Sequence, residues 1–271
     1  MTDVVARPRS IGRVSGPVHA ALVVVEAFWT WYRQGWRATA VTSVVQPLLF
    51  LVALGLGFGS QVQPGAATGG LRYLVYLAPA LMIATAVQIG AFESTYPILS
   101  GFKWQGQYHA VASTPITAAQ LVGGQFTWVA IRMTGAGAIY LAIAALLGAA
   151  SGPAVLLALP VSLLTGMAVS ACVAAYSATL DTEVPFAGLF RFIVLPMTLF
   201  AGTFFPVGSL PVWIRPLAWV TPLWHGTELA RGAAFGWLRF WPAVGHLAYL
   251  LAMFGVGAWF TVRHFRARLA K

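Results

Sequence analysis

The chain has 271 residues, of which 59% are hydrophobic and only 8% are charged, and its formal net charge is +10 at pH 7. A soluble domain carries about 25% charged residues, so this composition excludes a soluble enzyme and predicts a polytopic membrane protein. The basic residues concentrate near the two ends of the sequence beside apolar segments, which is typical of membrane topology and leaves no reason to expect a nucleic-acid partner.

The N-terminal part of the chain is predicted to lie outside the transmembrane domain. Residues 1–16 form a basic segment that we expect to be flexible. Residues 17–37 combine several tryptophans with Glu26 and Arg33, a mixture that suits an amphipathic helix lying in the membrane interface. A seventh transmembrane helix at this position is the alternative, and it would move the N-terminus to the other side of the membrane.

The remainder, residues 38–271, contains six apolar stretches long enough to cross a hydrocarbon core of about 30 Å. No stretch alternates in hydrophobicity with a period of two, so the fold class is all-α. The predicted spans cover about 41–59, 71–92, 119–148, 153–179, 186–205 and 243–262.

Basic residues predict the orientation of these spans. The side with the N-terminus carries Arg7, Arg9, Arg13, Arg33, Arg37, Lys103, Arg191, Arg263, Arg266, Arg268 and Lys271. The opposite side carries only Arg72, Arg215, Arg231 and Arg239. The positive-inside rule therefore places both termini in the cytoplasm. Since no organelle-targeting segment is evident, we expect the chain in a bacterial inner membrane.

Arg132 is the one charged residue well inside a predicted span, since Arg72 and Arg191 lie near the ends of theirs, and two interpretations of it stay open. Counted from Ala119 at 1.5 Å per residue, its side chain lies about 20 Å inside the membrane and needs a carboxylate, a carbonyl or an anionic ligand as a partner. Alternatively, residues 133–150 span the membrane alone, and Arg132 reaches the cytoplasmic headgroups.

Two connecting segments have unusual compositions. Residues 94–117, on the cytoplasmic side, are aromatic and nearly uncharged, so we expect them to fold against the bundle or to be covered by a partner protein. Residues 206–242, on the outer side, are rich in proline and tryptophan. Proline interrupts helices and tryptophan favours the membrane interface, which predicts broken re-entrant helices before the last span. A simple amphipathic linker is the alternative for the second segment.

The sequence lacks the residue patterns of several kinds of active site. Its six acidic residues and five histidines show no metal-ligand spacing, and it has no phosphate-binding loop. We therefore expect no catalytic residue, no metal and no cofactor bound by this chain. Since no carboxylate lies in the middle of a span, an ion-coupled secondary transporter is disfavoured. That class and a membrane-embedded lipid-modifying enzyme remain the alternatives.

A motif in the outer segment carries a family resemblance. Pro222-Leu223-Trp224-His225 is followed by Arg231, six positions after the histidine. Residues 200–206 and the pair Leu210-Pro211 fit the same pattern. With the topology, these residues resemble the permease subunit of type-2 ABC exporters. Residues 92–96 and 112–116 are similar to its Nod-factor (lipo-oligosaccharide) export and daunorubicin-resistance branch. The outer signature comprises Pro206, Pro211, Pro222, His225 and Arg231.

The resemblance implies partners that supply energy. A separate ABC ATPase subunit, in two copies, would bind ATP and Mg²⁺, and a second copy of the chain or a related permease would complete the pathway. The ATPase would contact residues 101–113, which we call the coupling segment. Its expected contact residues are Phe102, Lys103, Trp104, Gly106, Tyr108 and His109. Asp181 and Glu183 would form a second, smaller contact.

The resemblance also implies a transport pathway and a class of substrate. The pathway would be lined by the first, second and fifth spans and would work by alternating access. Its candidate residues are Phe50, Phe58, Tyr76, Phe190 and Phe200. The substrate would be amphipathic: a glycolipid, a lipo-oligosaccharide, a lipid-linked glycan or a lipophilic drug.

Overall fold

The computed structural model describes residues 16–65, 68–150 and 152–270. Within these ranges the chain contains helices and no β-strand, which confirms the all-α fold class. The predicted basic segment 1–16 lies outside the described residues, apart from Gly16.

The α-helices are α1 (Pro17–Phe50), α2 (Tyr73–Glu93), α3 (Tyr96–Leu99), α4 (Gln107–Ala112), α5 (Ala118–Leu146), α6 (Ala158–Ser177), α7 (Val184–Leu189), α8 (Leu195–Phe200), α9 (Arg215–Val220), α10 (Pro222–Phe235) and α11 (Phe240–Leu269). Three π-helical stretches cover Leu51–Gly57, Ser100–Trp104 and Phe190–Val194. Short 3-10 helices cover Phe58–Gln61, Pro153–Leu157 and Val207–Ser209.

Among the described residues, five helices are long and apolar enough to cross a membrane: Val44–Gln61, Tyr73–Trp104, Ala118–Leu146, Pro153–Ser177 and Phe240–Leu269. The fifth predicted span, 186–205, corresponds to the shorter apolar helix Val184–Phe200. At 1.5 Å per residue this helix is about 25 Å long, less than a hydrocarbon core. It ends early because Gly202 takes a left-handed conformation, with φ of 86°, and turns the chain.

The predicted interfacial helix and the first span are continuous in the structure. Helix α1 runs unbroken from Pro17 to Phe50 and continues as π and 3-10 turns to Gln61. Its N-terminal part packs on α5, where the Phe28 and Trp128 rings stack with centroids 6.1 Å apart. This part of α1 is therefore attached to the bundle.

Helices α2 and α6 form the centre of the bundle, and glycines bring them together. A Cβ on Gly90 of α2 would lie 2.5 Å from the carbonyl oxygen of Gly166 in α6. On another side of α6, a Cβ on Gly257 of α11 would lie 2.8 Å from the backbone nitrogen of Cys172. Because glycine has no side chain, these three helices approach at backbone distance.

Candidate functional site

The coupling segment lies at one end of the bundle, together with α3, α4 and the C-terminal end of α11; we call this the α4 end. The segment begins in the π-helical turn Ser100–Trp104 and reverses direction at Gly106, which has a φ of 64°. L-residues rarely adopt this left-handed conformation, so glycine suits the turn that starts α4.

The predicted contact residues of the coupling segment face in two directions. Phe102 and Tyr108 are 5% and 1% exposed, and both rings pack against Phe265 of α11, with centroids 4.8 and 5.3 Å away. Lys103 and His109 are exposed, and Trp104 is 56% exposed. One face of the segment is thus folded on the bundle, and the other leaves an indole, an ammonium group and an imidazole exposed.

A chain of polar contacts runs from the coupling segment into the bundle. The Tyr108 hydroxyl donates to Oε1 of Gln125 at 3.1 Å, and Nε2 of Gln125 donates to the backbone carbonyl of Glu93 at 3.3 Å. The Glu93 carboxylate pairs with Arg132, with 3.2 Å between Oε1 and Nη2. The Arg132 guanidinium also lies 4.7 Å from the centre of the Tyr32 ring.

Arg132 therefore combines features of both interpretations made from the sequence. It has the carboxylate partner that a buried position requires, and it lies level with the C-terminal end of α2, where Glu93 is the last residue. Sequence reasoning missed this pair. The available signal was an acid at the end of one span and a base inside the next.

The second predicted contact lies beside the first. Asp181 accepts from Nη2 of Arg268 at 3.0 Å. Nη1 of Arg268 donates to the carbonyls of Ala178 and Leu180, and its guanidinium lies 4.4 Å from the centre of the Phe102 ring. Arg268 thus joins the turn after α6 to the coupling segment, while Glu183 is simply exposed.

A cavity of about 890 Å³ lies between α1, α2, α5 and the helix 184–200. Of the predicted pathway residues, Phe50 and Phe190 line it. The structure does not bring the other three to it: Phe58 packs on Tyr73, Tyr76 lies beneath Arg231, and Phe200 is not among the lining residues. The polar and charged groups that line it are Gln46, Thr85, Gln88, Glu93, Arg132, Arg191 and Thr198.

At the opposite end of the bundle, which we call the α10 end, the motif arginine links several parts of the chain by hydrogen bonds. Arg231 is buried and donates from Nε, Nη1 and Nη2 to the carbonyls of Tyr76, Gly202 and Thr203, at 3.2, 2.7 and 2.9 Å. Its guanidinium stacks 3.8 Å from the centre of the Tyr76 ring. Arg231 thereby fixes α10 to α2 and to the turn after α8.

The motif histidine also has a defined partner. Nδ1 of His225 lies 2.7 Å from Nδ1 of His246, and the His225 ring stacks on Tyr249 at 3.9 Å. One Nδ1 must donate a hydrogen bond and the other must accept it, so the two imidazoles cannot both be in the cationic form in this geometry. Burial first, and then the neighbouring His246, lower the pKa of His225 to about 4.

The prolines of the outer signature delimit short helices, as the sequence predicts. Pro206 precedes the 3-10 turn Val207–Ser209, Pro211 begins the turn that leads to α9, and Pro222 is the first residue of α10. Arg215 fixes this region because its guanidinium donates to the carbonyls of Gly208 and Leu210. In the described part of the chain, no group of three or more His, Cys, Asp or Glu side chains is arranged to hold a metal ion.

Comparison with known proteins matches residues 20–235 to the ABC-2 type transporter family. Nodulation protein J of Sinorhizobium fredii is 32% identical over 215 residues, which cover 76% of this chain and 79% of that protein. Nodulation protein J of Rhizobium leguminosarum bv. viciae is 28% identical over 78% of this chain and 82% of its own length. The protein of the same name from Rhizobium meliloti is 27% identical over 78% of this chain and 80% of its own length.

Proposed function

Because the chain belongs to the ABC-2 type transporter family, we propose that it is the membrane permease of an ATP-driven exporter of amphipathic molecules. Two ABC ATPase subunits would bind ATP and Mg²⁺ and dock at the α4 end. In a bacterial inner membrane with both termini inside, the α4 end would face the cytoplasm and the α10 end the outside.

The observation that carries this proposal is the two-sided coupling segment. Its outer face offers Trp104, Lys103 and His109 to a partner. Its inner face is bonded through Tyr108, Gln125 and Glu93 to Arg132, which lines the cavity. A displacement of the segment by a closing ATPase would therefore reach the cavity wall through two hydrogen bonds and one ion pair.

A second copy of the chain would complete the pathway. The helix 184–200 and the second half of α1 border the cavity and expose large apolar side chains, including Leu49, Phe192, Ile193 and Leu195. Such a surface is suited to lipid or to the same surface of a second permease. With the cavity between them, two copies would enclose a path for a molecule with an apolar part.

The test is co-purification and transport with the ATPase partner, using Trp104→Ala and the control Trp213→Ala. Trp213 is 79% exposed and lies between α8 and α9, far from the coupling segment in the fold. We expect Trp104→Ala to insert normally, to reduce ATPase co-purification about tenfold and to abolish ATP-dependent transport, because exposed indoles often dominate contact energies. Trp213→Ala should behave as wild type.

Two outcomes would contradict the proposal. One is full ATPase binding and transport by Trp104→Ala, which would remove the coupling role of the segment. The other is a chain that purifies without an ATPase and is active without ATP. That result would favour a secondary transporter or a lipid-modifying enzyme.

A further inference from the structure

Nearly all of the polar residues that line the cavity between α1, α2, α5 and residues 184–200 have a hydrogen-bond or ion-pair partner within the chain. Nε2 of Gln46 donates to Oε1 of Gln88 at 3.1 Å. The hydroxyls of Thr85 and Thr198 each donate to the carbonyl four residues earlier, at 2.8 Å. Glu93 and Arg132 neutralise each other.

Arg191 is the exception. It lies in the π-helical stretch Phe190–Val194, on the face of the helix that lines the cavity. Its side chain is exposed, and within the described part of the chain it has no hydrogen-bond or ion-pair partner. A π-helical turn inside an α-helix is frequent at functional sites, which is consistent with a guanidinium held at this position for a ligand.

The charges of the cavity decide which ligands it favours. Two guanidinium groups and one carboxylate line it, so the wall carries an excess of one positive charge. The other lining residues are largely apolar, among them Phe50, Leu195 and Phe204. In such surroundings a charge interacts more strongly than in water, so an opposite charge on a ligand is attracted and a like charge is repelled.

We infer that Arg191 makes this cavity selective for amphipathic molecules with an anionic headgroup, such as a phosphate, sulfate or carboxylate, and against cationic ones. The headgroup would lie beside Arg191, and the apolar chain would extend along Phe50 and Leu195 towards Phe204. The occupant is either an anionic lipid of the membrane or the transported molecule. Only the assignment to a transported molecule rests on the proposed export function.

Binding to the purified chain in phosphatidylcholine nanodiscs tests the inference without any ATPase, so failure of the export proposal would not affect the result. The probes are octyl phosphate, octyltrimethylammonium and octyl glucoside, which share an alkyl chain and differ in headgroup charge. Empty nanodiscs give the background. The variants are Arg191→Gln and Arg191→Glu, and Arg266→Gln is the control because Arg266 is an exposed arginine of the same end outside this cavity.

We expect wild type to bind octyl phosphate at least about tenfold more tightly than octyltrimethylammonium, a difference of about 1.4 kcal/mol. Arg191→Gln should bring the affinities for the two charged probes to within about twofold of each other, and Arg191→Glu should invert the preference. The affinity for octyl glucoside should change little in either variant. Arg266→Gln should keep the wild-type ratio. A wild-type protein without charge preference, or a preference that survives in Arg191→Gln, would overturn the inference.

A further arm identifies the source of the anionic headgroup. Nanodiscs that contain phosphatidylglycerol are compared with those of phosphatidylcholine alone. If phosphatidylglycerol displaces octyl phosphate from the wild type and not from Arg191→Gln, the result supports the anionic site and indicates that a membrane lipid occupies it. If phosphatidylglycerol leaves the binding of octyl phosphate unchanged, the result supports the anionic site and indicates that a transported molecule occupies it.

Discussion

Arg231 shows how one side chain of the outer motif can hold three parts of the chain together. Its planar guanidinium donates to three backbone carbonyls that belong to α2 and to the turn after α8. The three carbonyls and the Tyr76 ring stabilise the buried charge at close range, and the Glu228 carboxylate attracts it from beyond ion-pair distance. The motif arginine is thus a structural residue of the α10 end.

We predict that Arg231→Lys lowers the free energy of unfolding by at least about 2 kcal/mol. An ammonium group cannot reach three carbonyls in the fork geometry of a guanidinium, so it leaves buried acceptors unmatched. The measurement is a denaturant titration in mixed micelles. Arg239→Lys, at an exposed arginine of the same end, should change stability by less than about 0.5 kcal/mol. Equal effects of the two substitutions would contradict this account of Arg231.

At the scale of elements, the coupling segment is attached to the bundle by contacts with α5, the helix that follows it, and with α11, which is distant in sequence. Gln125 of α5 is the central contact, since its amide accepts from Tyr108 and donates to the last residue of α2. The exposed side chains that we propose as the ATPase contact, Lys103, Trp104 and His109, lie on the other face of the segment. Binding of a partner and transmission into the bundle should therefore depend on different residues.

We predict that Gln125→Leu leaves ATPase co-purification intact but reduces transport per ATP hydrolysed several-fold. The leucine fills a similar volume but leaves the Tyr108 hydroxyl and the Glu93 carbonyl without their shared partner, which costs about 1–3 kcal/mol. Simultaneous ATPase and transport assays in proteoliposomes measure the ratio. Gln63→Leu, an exposed glutamine in the loop before α2, is the control. Unchanged coupling in Gln125→Leu would exclude the polar chain as the route of transmission.

At the scale of the whole molecule, α6 organises the bundle by direct backbone contact with α2 and α11. Gly90→Ala would place a methyl group 2.5 Å from the Gly166 oxygen and 2.7 Å from the Met133 methyl. We predict a loss of about 1–3 kcal/mol in unfolding free energy, because α2 and α6 must separate. Gly245→Ala in α11 meets no atom within 4 Å and should be neutral or stabilising. Denaturant titration of both variants in parallel checks the contrast.

The sequence predicts the long helices because hydropathy over about 20 residues depends on local composition. It does not predict the shortness of the helix 184–200, since the end of that helix depends on the conformation of Gly202. The pairing of Glu93 with Arg132, and the inward orientation of Phe102 and Tyr108, depend on helices that meet only after folding. The Pro222-to-Arg231 spacing identified the motif, but only the structure supplies the carbonyls that Arg231 binds.

The close contact between α6 and α11 has a practical consequence for measuring motion. Cys172 is the only cysteine in the sequence, and its thiol lies in this contact, 3.8 Å from the Met253 carbonyl oxygen. A thiol held between two helices should react slowly with bulky maleimide or methanethiosulfonate spin labels. A pair of cysteines, one introduced at an exposed site of the helix 184–200 and one at an exposed site of α11, could then be labelled selectively. Pulsed electron paramagnetic resonance would measure the distance between the two spin labels with and without nucleotide.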